Sequence, residues 1–132
     1  MYIDAALYYH LVNDSDVTAL IGARAYPNVI PQDAALPALA YQTISSPRQM
    51  LHDGASGIAW PRFQITAQAQ TFSEVVDLMN KVRIALDGYT GTMGGAGGVT
   101  IEGAFVTDIR DGYDFATERE TRRLDVIIHH QE

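Results

Sequence analysis

The sequence predicts an α+β fold: a mostly antiparallel four-stranded sheet with helices packed on one face. Two adjacent segments carry this prediction. Residues 62–69 alternate polar and apolar side chains, which is the period of a strand buried on one side. Residues 71–74 (TFSE) then match a helix capping box, and an apolar stripe follows at helical spacing. A strand, a capped helix and further strands around them indicate helices layered on a sheet.

The first 22 residues predict two short helices. Ile3, Leu7 and Leu11 recur at the spacing of one helical face. Residues 13–16 (NDSD) interrupt that pattern and offer N-caps for a second helix over residues 17–22, which closes on a glycine. The pair therefore predicts a helical corner ahead of the sheet.

The passage from residue 26 to residue 57 predicts one strand and one long loop. Prolines at 27, 31 and 37 keep the first part extended, because a residue before proline avoids the helical region. Residues 38–43 alternate as a strand does. Residues 45–57 are polar and glycine-containing, and a loop of about a dozen residues is often functional.

The second half of the chain predicts two more strands. The helix closes at Gly88, and the glycine-rich run 91–98 (GTMGGAGG) is a connector. A strand is expected over 99–109, a turn at Asp111-Gly112 and a polar loop to about Glu118. The last strand runs to about His130, with one apolar face made by Leu124, Val126 and Ile128. No repeat or linker divides the chain, so residues 1–132 form one domain, and the crossover through 72–87 allows one parallel pair.

Composition narrows the classes of function. The net charge of −7 argues against binding DNA or RNA by neutralising phosphates. The chain has no cysteine, which excludes disulfides, thiolate chemistry and iron–sulfur sites. The N-terminal sequence does not read as a secretory signal, and no run approaches the roughly 20 apolar residues of a membrane span, so no membrane partner is expected.

No motif in the sequence predicts catalysis, a cofactor or a metal. The run 91–98 is followed by Val99, whereas a phosphate-binding P-loop needs a lysine and a hydroxyl residue there. His129 and His130 are adjacent in a strand and point to opposite faces, so they do not converge on one ion. No G-x-S-x-G nucleophile motif is present. The acidic group near the last turn reads as a solvated loop, with a divalent ion as the alternative: Asp111, Asp114, Glu118 and Glu120.

The order of these elements resembles the tail-completion, or tail-terminator, proteins of long-tailed phages and phage-like particles. The similar pieces are the N-terminal helix with residues 19–46, the DG-containing loop, the strand 62–70, the helix 71–86 and the closing strand 122–132. The resemblance covers nearly the whole chain and rests on hydrophobic spacing, a proline-flanked first strand and the strand-to-helix junction at Thr71. The connector 91–98 falls where variable length is expected.

The resemblance implies a virion protein, made in the bacterial host cytoplasm, that forms a ring of commonly six subunits. The ring would cap the tail tube, join it to the head connector or stopper protein, and let DNA pass through its lumen without sequence recognition. Arginine is enriched at protein–protein contacts, so the exposed arginines of the chain are candidate assembly contacts. The alternative is that they lie on a solvated strand face and contact no partner. The expected assembly contacts are Arg48, Met50, His52, Asp53, Arg62, Gln64, Arg119 and Arg122, and the loop 45–57 is expected to reach the lumen or an adjacent ring.

Two alternatives remain open at this point. A small α+β metabolite-binding module or enzyme would show a pocket with converging ionisable groups. A neck or tail-tube protein would differ from a terminator in its partners rather than in its physics.

Overall fold

The computed structural model describes residues 1–46, 48–51 and 54–131, with the backbone alone for 48–51 and 54–57. Three helices and eight strands follow one another along this part of the chain. In order they are α1 (Ile3–Asn13), α2 (Ser15–Ile21), β1 (Ala25–Pro27), β2 (Ala38–Ser45), β3 (Arg48–Leu51), β4 (Gly54–Ala59), β5 (Arg62–Ala69), α3 (Phe72–Leu86), β6 (Gly91–Met93), β7 (Val99–Asp114) and β8 (Arg119–Gln131). None of the described helices has the length and apolar character needed to cross a membrane.

All eight described strands form one mixed sheet centred on β8. β5 and then β4 pair along one side of β8, and β7 pairs along the other; β2 and β1 extend the sheet beyond β5. β1 and β2 run parallel, and the other described pairs are antiparallel. The α+β class is confirmed, but the sheet is mixed and larger than the predicted mostly antiparallel sheet of four strands. The unpredicted strands are short pieces of a proline-rich passage, a polar loop and a glycine-rich connector, whose side chains give little alternation.

The segment predicted as a long loop is a hairpin in the structure. β3 and β4 pair with each other and continue the ladder of β2 and β5, so these four strands make one long antiparallel arm. β4 reaches β8 only through Ile58 and Ala59, which lie opposite Gln131 and His130. The hairpin therefore extends beyond the end of β8.

β7 and β8 form a second long hairpin, with its turn at 115–118. The predicted turn at Asp111-Gly112 is wrong, because both residues pair within the strand, opposite Arg122 and Thr121. A Cβ on Gly112 would lie 2.8 Å from the Thr121 hydroxyl oxygen. Gly112 is therefore required for close approach between strands rather than for a turn.

One hydrophobic core joins the three helices to a single face of the sheet. Leu7, Leu11 and Ile21 from α1 and α2 are fully buried with the apolar face of α3. The alternating residues of β5 and β8 that face them are buried too, as the sequence predicts: Phe63, Ile65, Ala67, Ala69, Leu124, Val126 and Ile128. None of the described helices lies on the opposite face of the sheet, and we call it the helix-free face.

Both predicted helix caps are present. The Asp14 carboxylate accepts backbone N–H bonds from Asp16 and Val17 at the start of α2. At α3, the Thr71 hydroxyl accepts from the Glu74 N–H at 3.2 Å and donates to the Glu74 carboxylate at 2.9 Å. These bonds satisfy N–H groups that the first turn of a helix leaves without partners.

Candidate assembly surfaces

A loop over residues 28–37 covers one end of the helix-free face, and Arg119 holds it there. Arg119 is 8% exposed, and its guanidinium donates to the Gln68 side-chain oxygen at 2.9 Å. It also donates to the backbone carbonyls of Pro31 and Gln32 in the loop. Arg119 was expected at an assembly contact, and the structure places its side chain inside the subunit.

Arg62 and Gln64 lie on the other end of the helix-free face, which the loop leaves uncovered. Arg62 is exposed and opposite Ile127 of β8. Gln64 lies between Gln42 of β2 and Asp125 of β8. Two of the expected contacts therefore share one open surface.

Three rings on this uncovered surface form a cluster around His129. The Trp60 ring stacks on the imidazole, with centroids 4.9 Å apart and planes 13° apart. The Phe105 ring meets the imidazole edge-on at 5.3 Å, and Phe105 and Trp60 are 51% and 39% exposed. We call Trp60, Phe105 and His129 the aromatic cluster. Exposed aromatics beside an arginine are the composition that protein interfaces favour.

Ion pairs border the aromatic cluster on the same face. Arg110 lies between two carboxylates, 2.5 Å from Asp108 and 3.1 Å from Asp125. Hydrogen bonds to Asp125 and then Asp108 raise the pKa of Arg110 above its ordinary value. The Arg110 and Asp108 side chains are about half exposed, so their pair contributes to the polarity of the rim more than to stability, whereas the Asp125 side chain is only 15% exposed.

Arg122 faces the helices instead, because it differs by an odd number of residues from Arg119 and Arg123. Its Nε lies 2.5 Å from the Asp111 carboxylate, and its guanidinium lies 5.9 Å from the centre of the Phe72 ring. Phe72 is 51% exposed at the start of α3. Arg122, Phe72 and Ile109 line an open groove of about 430 Å³ between α3 and the β7–β8 hairpin.

Two of the remaining four expected contacts lie on β3. Arg48 and Met50 belong to β3, whose backbone pairs with β4. His52 and Asp53 lie outside the described residues. The assembly contacts of all four residues stay a prediction.

The histidines and acidic residues that could suggest a metal have other environments. His129 belongs to the aromatic cluster, and His130 is 7% exposed with its Nδ1 2.9 Å from the Gln131 carbonyl oxygen. His10 Nε2 lies 2.7 Å from the Ala85 carbonyl oxygen at the end of α3. Within the described part of the chain, no three histidine, aspartate or glutamate side chains group as metal ligands would.

Asp114 has a local structural role at the turn 115–118. Its Oδ1 accepts the backbone N–H of Ala116 at 3.0 Å and of Thr117 at 3.4 Å. The nearby Thr117 hydroxyl and these N–H groups hold the pKa of Asp114 below its ordinary value of 3.8. The Thr117 hydroxyl completes no hydrogen bond among the described residues, so the backbone bonds are the defined contacts.

Sequence reasoning missed the aromatic cluster and Asp125. Parity along β8 places His129 and Asp125 on the face of Arg119, so strand alternation alone could have grouped these side chains. Their neighbours are Phe105 of β7 and Trp60 in the link between β4 and β5, and only the register of the sheet brings them together.

Comparison with solved structures shows the fold in a known particle. A chain described as "Virion of native gene transfer agent (GTA) particle" matches with a TM-score of 0.74 and 20% identity, over 98% of this chain and 92% of that one. A chain described as "Structure of without transmembrane region from Akkermansia muciniphila" matches with a TM-score of 0.33 and 15% identity, over 69% of this chain and 44% of that one. This match is too weak to carry an argument. The first likeness shows a shared fold.

Two comparisons of the sequence, with curated proteins and with family models, give different results. No curated protein matches the chain significantly. The family described as "Tail completion protein gp17" matches residues 5–129, which is nearly the whole chain. The resemblance noted from the order of its elements is thereby confirmed, and the chain belongs to the tail completion protein gp17 family, as a structural protein of the virion tail.

Proposed function

We propose that this chain is the subunit of a ring, commonly of six copies, that caps the finished tail tube. The ring joins the tail to the head connector or stopper protein, and DNA passes through its lumen. The observation that carries this proposal is the family match over residues 5–129. The gene transfer agent chain of the same fold belongs to a phage-like virion, which agrees with a place at the head–tail junction.

The surfaces of the subunit are compatible with such a ring. The uncovered part of the helix-free face and the groove beside α3 lie on opposite faces of the sheet, so they differ in shape and chemistry. A contact between unlike surfaces is heterologous, and it closes into a ring when the rotation between subunits closes. The net charge of −7 also suits a channel through which DNA moves without being held.

The test is assembly measured directly. Size-exclusion chromatography with light scattering, over a hundredfold range of concentration, is expected to show a ring mass that grows at the expense of monomer. Incubation with purified tail tubes should place the protein at one end of each tube by electron microscopy. A strict monomer that never binds tube ends would contradict the proposal, and a small molecule bound in the groove beside α3 would favour the metabolite-binding alternative.

A further inference from the structure

The outer edge of β7 is open over part of its length. β6 pairs with Val99–Ile101 of β7. The next stretch is covered by the end of α3, because the Gly88 N–H donates to the Ala104 carbonyl and the Asp87 carboxylate accepts from the Val106 N–H. Over residues 107–114 the described strands offer β7 one partner, β8.

The register identifies which backbone groups this edge presents. The Ile128 N–H donates to the Pro61 carbonyl at 3.0 Å, so alternate residues of β8 from Ile128 backwards bond toward β5. Their partners on β7 consequently turn N–H and C=O away from β8. Beyond the bulge at Val106 and Asp108, these outward residues are Ile109, Asp111 and Tyr113.

The groove beside α3 adjoins this same edge. Ile109 and Arg122 line it together with Phe72 and Val76 of α3. A strand added to β7 would point alternate side chains toward this groove, because side chains alternate between the faces of a sheet. Backbone pairing with an adjacent pocket is the arrangement used by proteins that bind an extended segment at a sheet edge.

Among the described residues, β1 on the opposite flank of the sheet has no free N–H donor to offer a partner. The Arg24 carbonyl and the Asn28 N–H bond to β2, so Ala25 and Pro27 of β1 face outward. The Ala25 N–H already donates to the Ala23 carbonyl, and proline has no N–H. Two copies therefore cannot join β7 to β1 as a regular ladder.

The strand best placed to meet the β7 edge is β3. It belongs to the hairpin that extends beyond β8, and β4 is its partner among the described strands. Its sequence, RQML, carries Arg48 and two apolar residues and no carboxylate. Residues 107–114 carry Asp108, Asp111 and Asp114 against one arginine, so the two strands are complementary in charge.

We propose that the open edge of β7, with the adjoining groove, accepts β3 of a second copy of this chain, joining the sheets of neighbouring subunits. The charges that a natural edge strand carries guard it against indiscriminate pairing and select a partner of opposite charge. The inference rests on the proposed ring and adds which strands meet in it.

Amide hydrogen exchange tests this pairing with residue resolution. In the monomer, the inward amides of Arg110 and Gly112 are protected by β8, whereas the outward amides of Ile109, Asp111 and Tyr113 exchange fast. On assembly, the outward three are expected to slow by at least tenfold. A ring whose outward amides stay fast would overturn the strand pairing and leave the proposed ring standing, whereas failure to form any ring would overturn both.

A proline variant with a matched control separates the backbone from the side chain. Asp111→Pro and Asp111→Asn both remove the carboxylate that pairs with Arg122, but Asp111→Pro alone also removes the outward N–H. The concentration needed for ring formation should rise at least tenfold in Asp111→Pro relative to Asp111→Asn. Equal values in two folded variants would contradict the pairing, and if Asp111→Pro does not fold, hydrogen exchange of the unaltered protein decides.

Disulfide trapping identifies the partner strand, because the chain has no cysteine of its own. Cysteines placed singly at 48–51 are mixed with the Asp111→Cys variant and oxidised. Because each variant carries a single cysteine, a mixed disulfide arises only between two copies whose Cα atoms at these positions come within about 7 Å. A covalent mixed dimer from at least one position is expected, and its absence at all four in a formed ring would overturn the assignment of β3.

Discussion

Arg119 of β8 and Gln68 of β5 are hydrogen-bonded to each other, Nη1 to Oε1 at 2.9 Å, where the loop 28–37 crosses the sheet. Arg119 also donates to two loop carbonyls, so one side chain ties the last strand to residues nearly 90 positions earlier. This part of the helix-free face is consequently closed within the subunit, and the other end is left for partners.

The first prediction is that Arg119→Ala destabilises the folded subunit. The substitution leaves the Gln68 oxygen and two loop carbonyls without their donor, which should lower the free energy of unfolding by about 2–3 kcal/mol. Urea unfolding followed by circular dichroism measures the change. Arg119→Lys keeps the charge but not the planar fork and should recover only part of it; an unchanged urea midpoint in Arg119→Ala would show that the loop is held by other contacts.

The second prediction is that Arg62→Glu impairs assembly without unfolding the subunit. Arg62 is exposed on the uncovered helix-free face, where a surface substitution should change stability by no more than about 0.5 kcal/mol. Reversing its charge at an interface should shift the light-scattering mass toward monomer. Lys81→Glu makes the same change in net charge on α3, and equal loss of assembly in both variants would mean that total charge, not position, is responsible.

The sequence predicts the elements with one buried face and misses those set by distant pairing. β5 and α3 are foreseen because burial forces an alternating or helical pattern on their own residues. The end of β7 is misplaced because Asp111-Gly112 carries a turn signal, which pairing with Arg122 and Thr121 overrides. The pattern of its own residues therefore predicts β5 or α3, whereas the end of β7 depends on contacts with another strand.

The candidate surfaces divide in the same way. Alternation along β8 separates Arg119 from Arg122, and the structure places them on opposite faces. Alternation along β8 could not show that Arg119 is buried, because the loop that covers Arg119 lies far away in the sequence. The aromatic cluster likewise depends on the register that places β4 and β7 on either side of β8.

The third prediction uses Trp60, the one tryptophan of the chain, as a reporter of the helix-free face. Its ring is 39% exposed and stacked on His129, so the tryptophan emission, excited where the seven tyrosines do not absorb, comes from this surface alone. His129→Ala should expose more of the indole and shift its emission to longer wavelength. Assembly through this face should shift the emission of the unaltered protein to shorter wavelength. An emission maximum that does not change between monomer and ring would place the aromatic cluster outside the interface.

The fourth prediction concerns the pH dependence contributed by Asp114. The nearby Thr117 hydroxyl dipole and the N–H groups of Ala116 and Thr117, whose hydrogen bonds the carboxylate accepts, lower its folded-state pKa below 3.8. A carboxyl group with a depressed pKa contributes stability above its unfolded pKa, and this contribution is lost as the pH falls through the folded pKa. Asp114→Asn should therefore lose stability at neutral pH and differ less from the unaltered protein as the pH falls below 3.8.

Two measurements check this assignment. NMR titration of the Asp114 carboxyl should give a midpoint below 3.8, and unfolding curves of both proteins across the acid range should converge as that group protonates. Asp108→Asn is the comparison variant, because its carboxylate lies on the same hairpin but caps no turn. A titration midpoint at or above the ordinary value would show that the turn 115–118 is held without the charge of Asp114, through the strands that flank it.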